Sequence, residues 1–229
     1  MNVDERKERR IAWIMLIVCP LSMMVMFALV TVGYARGLEW HPTEYLQATC
    51  ALWALVMTVL PILRLARIIN LPFLFVALLY ANMYMYVLSL CYGMYMDPAI
   101  PWWGDLTHVI SGLVVTSIVF MALCLMSTHS PPHVTFGSRG GLAAMVFVTG
   151  CAFGVIWEIM EGFTDIIAGF DYMVYGGADT LYDLLADMIG AVIMATAAWM
   201  ILGRYSANDI ASTIRLGKKN IDAGRDERS

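Results

Sequence analysis

Six long apolar runs, separated by short polar breaks, dominate the chain. They lie at about 11–33, 45–63, 70–95, 105–127, 140–161 and 180–203. Each is close to the roughly 20 residues that an α-helix needs to cross a bilayer. The pattern predicts an all-α, polytopic membrane helical bundle of about six transmembrane helices. The first run follows "DERKERR" but is too long for a signal-peptide core and lacks a clean A-x-A site, so a retained helix is expected. Pro20 and Pro61 fall inside runs and predict kinks, whereas Pro72 falls where a helix starts.

Composition sharpens this reading. Of the 229 residues, 60% are hydrophobic and 14% are charged, against about 25% charged in soluble domains. The placement of charge then orients the bundle. Thirteen of the fourteen Lys and Arg residues fall in the two tails and the breaks after the second and fourth runs, and only Arg36 falls on the other side. This bias predicts cytoplasmic N- and C-termini in a multi-pass membrane protein. The predicted parts are a cytoplasmic tail (1–10), a membrane domain (11–203) and a charged cytoplasmic tail (204–229). The five cysteines form no C-x-x-C and lie in apolar stretches, so buried thiols are expected. Cys50 and Cys91 both lie toward the outer side and are the pair that a bridge could join.

The acids break the apolar pattern. Nine of eighteen lie between positions 97 and 187, and all nine map to outer loops or the outer ends of the last three helices. The basic residue in 97–203 is Arg139, which maps to the opposite side. Three motifs carry the cluster: "DLTH" with Asp105 and His108, "WEIMEGFTD" with Glu158, Glu161 and Asp165, and "DTLYDLLAD" with Asp179, Asp183 and Asp187. The i, i+3 and i, i+4 spacings put each set on one helix face. Those faces continue in small residues (Ser111, Gly112, Gly150, Gly154, Ala191 and Ala195), which permit close helix packing.

Several members have plainer readings. Asp97 and Asp171 are read as water-facing, and Asp179 suits an N-cap. Asp183 and Asp187 lie one and two turns deeper, beyond the reach of capping. A charge at a membrane helix centre costs about 2.5–3.5 kcal/mol on insertion scales, and crowded carboxylates take up protons unless a cation neutralises them. The acids therefore imply either bound metal or retained protons. Carboxylates with one imidazole suit a divalent ion such as Mg, Mn, Zn or Fe. The expected ligands are Asp105, His108, Glu158, Glu161, Asp179, Asp183 and Asp187, with Glu158, Glu161 and Asp183 as catalytic candidates. The paired Glu-x-x-His motifs of di-metal bundles are absent. His129 and His133 sit in "STHSPPH", where two prolines predict a loop. No phosphate loop, hydrolase elbow, zincin motif or nucleic-acid patch is present. The segment 162–178 is too short to cross a membrane and too apolar for a free loop, and is read as a lid or interfacial connector over the acids.

At these motifs the chain resembles the YjdF-like family of bacterial inner-membrane proteins. The resemblance rests on Asp105-x-x-His108-x-x-Ser111-Gly112, on Glu158-x-x-Glu161, and on Gly177-x-Asp179 followed by Asp183, Asp187-Met188 and Gly190-Ala191. It covers roughly the last 100 residues of the membrane region. At Gly162 the chain departs from the pattern, which often places a tryptophan there, so an aromatic wall at that position is not implied. More loosely, the order of the motifs is similar to the VanZ-like family, linked with glycopeptide antibiotic tolerance. Neither resemblance implies a reaction. The residues admit three functions: a metal-dependent enzyme acting on a lipid-linked or amphiphilic substrate, a cation- or proton-coupled transporter, and a non-catalytic protein with a structural metal.

Overall fold

The computed structural model describes residues 3–69, 71–129, 138–169, 173–174 and 176–214. Its helices are α1 (Val3–Thr31), α2 (Thr43–Leu65), α3 (Phe73–Tyr92), α4 (Trp103–His129), α5 (Arg139–Ala168), α6 (Gly177–Ile201) and α7 (Ala207–Thr213), with short 3-10 turns at Arg36–Glu39 and Met94–Met96. Helices α1 to α6 are long and apolar enough to cross a membrane, matching the six runs of the sequence. No strand occurs among the described residues.

The helix ends explain where the runs and the elements part company. Helix α3 stops at Tyr92, before the apolar run ends at 95, because Gly93 takes a left-handed φ of 66° as its C-cap. A side chain at Gly93 would also collide with the ring of Trp40. Helix α5 starts beside Ser138, whose hydroxyl accepts the Gly141 N–H at 3.1 Å, and continues to Ala168, where Gly169 caps it at φ 81°. Within the segment 162–178, residues up to Ala168 and from Gly177 onward are therefore helical. The segment divides into the last turns of α5, a short connection, and the first residues of α6. Prolines 20 and 61 lie inside α1 and α2, and Pro72 is the N-cap of α3. The expected C-terminal tail contains α7, with Ala211 and Ile214 buried. His129 ends α4 without a described side chain, and His133 lies outside the described residues.

The chain forms two compact units. In the first, α1 packs along α2, and Gly37 brings the 3-10 turn Arg36–Glu39 against the backbone carbonyls of Leu90 and Cys91 near the end of α3. The second is built on α4, α5 and α6, which pack on one another in all three pairings. Its interior is divided lengthwise. One half is apolar, with Phe120, Leu123, Cys124, Leu142, Val146, Met194 and Ala198 in contact, and Ala207 and Ile210 of α7 packed against them. The Arg139 guanidinium lies over the Trp199 ring at 4.5 Å at that same end. Between the halves the helices nearly touch. A Cβ on Gly150 would come within 2.5 Å of the Thr116 hydroxyl, and one on Gly190 would strike the Val109 carbonyl. The other half holds the acids.

Candidate metal centre

The polar half gathers residues from three helix ends: the start of α4, the end of α5 and the start of α6. His108 stands five residues into α4, Glu158 ten residues before the end of α5, and Asp187 ten residues into α6. At about 1.5 Å of rise per residue, these positions lie about 7 to 15 Å inside the helix ends. Glu158, Glu161, Asp183 and Asp187 are all buried.

His108 is the hub. Its Nε2 lies 3.6 Å from Asp183 Oδ1, and its Nδ1 lies 3.6 Å from Asp187 Oδ1 and 3.9 Å from Glu158 Oε1. These are ion-pair distances but too long for direct hydrogen bonds. Ligand atoms of His108, Glu158, Glu161 and Asp183 all fall within 4.8 Å of one another. Both oxygens of Glu158, and Nδ1 of His108, are buried without a hydrogen-bond partner. Buried polar atoms are ordinarily satisfied, because leaving one bare costs about 1–3 kcal/mol and more for a charge.

That combination fits a small cation. Donors bound at about 2.0–2.1 Å to one ion sit roughly 3.3 Å apart at a tetrahedral angle and up to about 4.2 Å apart when opposed. The separations here fall in or near that range, whereas direct carboxylate–imidazole hydrogen bonds would draw the atoms below 3 Å. The donor set, one imidazole and three carboxylates, is that of a hard or borderline divalent ion. Within 97–203 the one Lys or Arg is Arg139, and it stands at the apolar end.

The supporting residues hold this geometry. Trp157 donates its indole N–H to Glu161 Oε1 at 2.8 Å, fixing one oxygen of that carboxylate. Asp187 sits between two glycines: a Cβ on Gly154 would come within 2.8 Å of its Oδ2, and one on Gly112 within 3.2 Å of its Oδ1 and 2.8 Å of its backbone oxygen. The small-residue faces thus do more than let the helices approach, because at one level the space they leave is filled by a carboxylate.

The remaining acids separate from the four-residue group. Asp165 is buried but accepts the backbone N–H of Met173 at 3.0 Å and of Val174 at 2.8 Å, tying the connection after α5 to its last turns. Asp97 accepts the N–H of Ala99 at 3.0 Å in a local turn. Asp105 is exposed, one turn before His108, and Asp179 is half-buried. The N-cap of α6 is Gly176 rather than Asp179, whose own N–H bonds to the Gly176 carbonyl at 3.0 Å. Asp179 thus lies in the first turn, still facing the positive end of the helix dipole. Sequence reasoning passed over Trp157; its signal is the i, i+4 spacing to Glu161.

Taken together, these features define a polytopic helical membrane protein with a buried His/Glu/Asp cluster inside a three-helix unit. The chain belongs to the family DUF2238, described as predicted membrane proteins, whose profile matches residues 17–204. The YjdF-like resemblance of its motifs agrees with that membership. A protein of Thermotoga maritima, itself described as uncharacterised, is 32% identical over 94 residues, which are 41% of this chain and 45% of that protein. The chain therefore spans about half the length of that relative. No solved structure matches it.

Proposed function

We propose that this protein binds a divalent cation through His108, Glu158, Glu161 and Asp183, with Asp187 holding the imidazole, and that the site works on a lipid-linked or amphiphilic substrate at the outer face of the inner membrane. The observation that carries the reading is the convergence of one imidazole and three buried carboxylates, with both oxygens of Glu158 and Nδ1 of His108 buried without a hydrogen-bond partner. Asp105 and Asp179, nearer the helix ends, stand where a second set of oxygens would meet an ion or substrate on its way in.

A divalent ion held there supplies a Lewis acid for a substrate oxygen or for water. The chain's own residues do the rest. Trp157 orients Glu161 by one oxygen, leaving the other to bind or to take a proton. Asp187 and Asp183 stand at opposite ring nitrogens of His108, 3.6 Å from Nδ1 and from Nε2, and so set the orientation of the imidazole. Bulky apolar residues near the end of α5, including Phe163, Ile166 and Ile167, are exposed and offer acyl chains a surface beside the acids. The outer placement rests on the distribution of Lys and Arg.

Elemental analysis of the purified protein, prepared without chelators, tests the proposal beside Asp183→Asn and Glu158→Gln. Near-stoichiometric metal in the wild type, lost in both variants while they keep helical content, is expected. Absence of metal from all three would overturn the metal reading and leave carboxylates that hold protons, which favours a cation- or proton-coupled carrier. Metal whose removal lowers stability, with wild-type cellular function in both variants, would leave a structural ion only.

A further inference from the structure

The first unit contains a second pair of facing reactive groups, far simpler than the acid cluster. Cys50 lies seven residues into α2, and Cys91 one residue before the end of α3. Their sulfurs are 3.7 Å apart, across 41 residues of chain, and both side chains are fully buried. Both are thiols in this structure. The ends that carry them are held from outside. Gly37 lets the turn Arg36–Glu39 press on the carbonyls of Leu90 and Cys91, and Gly93 closes α3 with Trp40 over it. Cys19, Cys124 and Cys151 stand on other helices, with no sulfur contact to one another among the described residues.

We propose that Cys50 and Cys91 form a disulfide that ties the outer end of α2 to the outer end of α3. Arg64 and Arg67 mark the opposite end of α2 as the cytoplasmic one, so the pair belongs to the side where disulfides form and persist. A bond at about 2.05 Å requires the sulfurs to close by a little under 2 Å. The chemistry is thiol–disulfide exchange. One cysteine thiolate attacks the disulfide of an outer-compartment dithiol oxidoreductase, and the second displaces that carrier from the mixed disulfide. The two cysteines lose two electrons and two protons in total, and the carrier leaves as the dithiol. Burial of the finished pair places this exchange before the Arg36–Glu39 turn closes over it. Once formed, the bond shortens the unfolded chain's loop and is shielded from reductants.

The full chain, expressed in cells with intact outer-compartment disulfide formation and unfolded in alkylating reagent, tests this by mass. Two of the five cysteines should escape alkylation until a reductant is added, and a peptide linking Cys50 to Cys91 should appear in the unreduced digest. Cys50→Ser should leave every remaining cysteine reactive without reduction. Reductant should lower the melting temperature of the wild type in detergent but not that of a Cys50→Ser, Cys91→Ser variant. Five reactive thiols in the untreated wild type, or a bridge between any other pair, would overturn the proposal. The wild-type peptide map decides the matter even where a variant fails to fold.

Discussion

Asp187 has room for its carboxylate because positions 112 and 154 carry no side chain. The glycines of the last three helices can therefore be ranked by what a methyl group would meet. At Gly154 it would press on the Asp187 carboxylate, with 2.8 Å to Oδ2 and 3.1 Å to Cβ. Gly154→Ala is expected to cost about 1–3 kcal/mol and to lower metal content with it, read by thermal melting and elemental analysis together. Gly190→Ala meets the backbone at Val109 and Leu113, which cannot rotate away, and should be the more damaging of the two. Gly162 has open space around it inside the same helix as Gly154. Gly162→Ala should leave metal content unchanged and stabilise by about 0.5–1 kcal/mol. Equal melting temperatures for Gly154→Ala and Gly162→Ala would contradict the cradle. Trp157→Phe removes the donor to Glu161 but keeps an aromatic ring; a 10–100-fold weaker metal affinity is expected, measured by competition with a chelator of known affinity.

At the scale of elements, the decisive features are the helix ends. All three motifs bring their acids to one end of the second unit because α4 and α6 run in the same direction between their loops while α5 runs back. The motif spacings already showed one shared face per helix, and the small residues on those faces showed close packing. The length of α5 was less legible. Its apolar run weakens after 161, yet hydrogen bonding carries the helix to the next residue that tolerates a left-handed cap, Gly169. Asp165 changes meaning with that extension. In the sequence it continues the acidic face of Glu158 and Glu161, but in the structure it ties down the backbone at Met173 and Val174. Asp165→Ala should therefore lower the melting temperature, by loss of a charge-assisted anchor of about 1.5–3 kcal/mol, while metal stoichiometry stays at the wild-type value. Loss of metal in this variant alone would place Asp165 among the ligands.

For the whole molecule, orientation is the property on which the outer-facing proposal depends. Pro98 lies between α3 and α4 and Ser206 between α6 and α7, and both are exposed. In a background without native cysteines, Pro98→Cys should react with a membrane-impermeant maleimide added outside spheroplasts. Ser206→Cys should react only after the membrane is opened. The reverse pattern would move the site to the cytoplasmic face. It would also take Cys50 and Cys91 out of the oxidising compartment, whereas failure of the metal test would leave the disulfide untouched.

The chain's composition and run lengths by themselves determined six helices and membrane residence, because a bilayer demands long apolar segments and internally bonded backbone, whatever their partners. The sequence also determined which acids are anomalous: an Asp two turns inside an apolar helix is costly wherever the neighbouring helices lie. Tertiary structure alone decided which anomalies meet. Spacing along one helix fixes a shared face but not the height at which three faces converge, and that height separates His108, Glu158, Glu161 and Asp183 from Asp165 and the exposed Asp105. The contact of Cys50 with Cys91 was decided in the same way, since 41 residues of chain carry no distance until the helices between them are folded and packed.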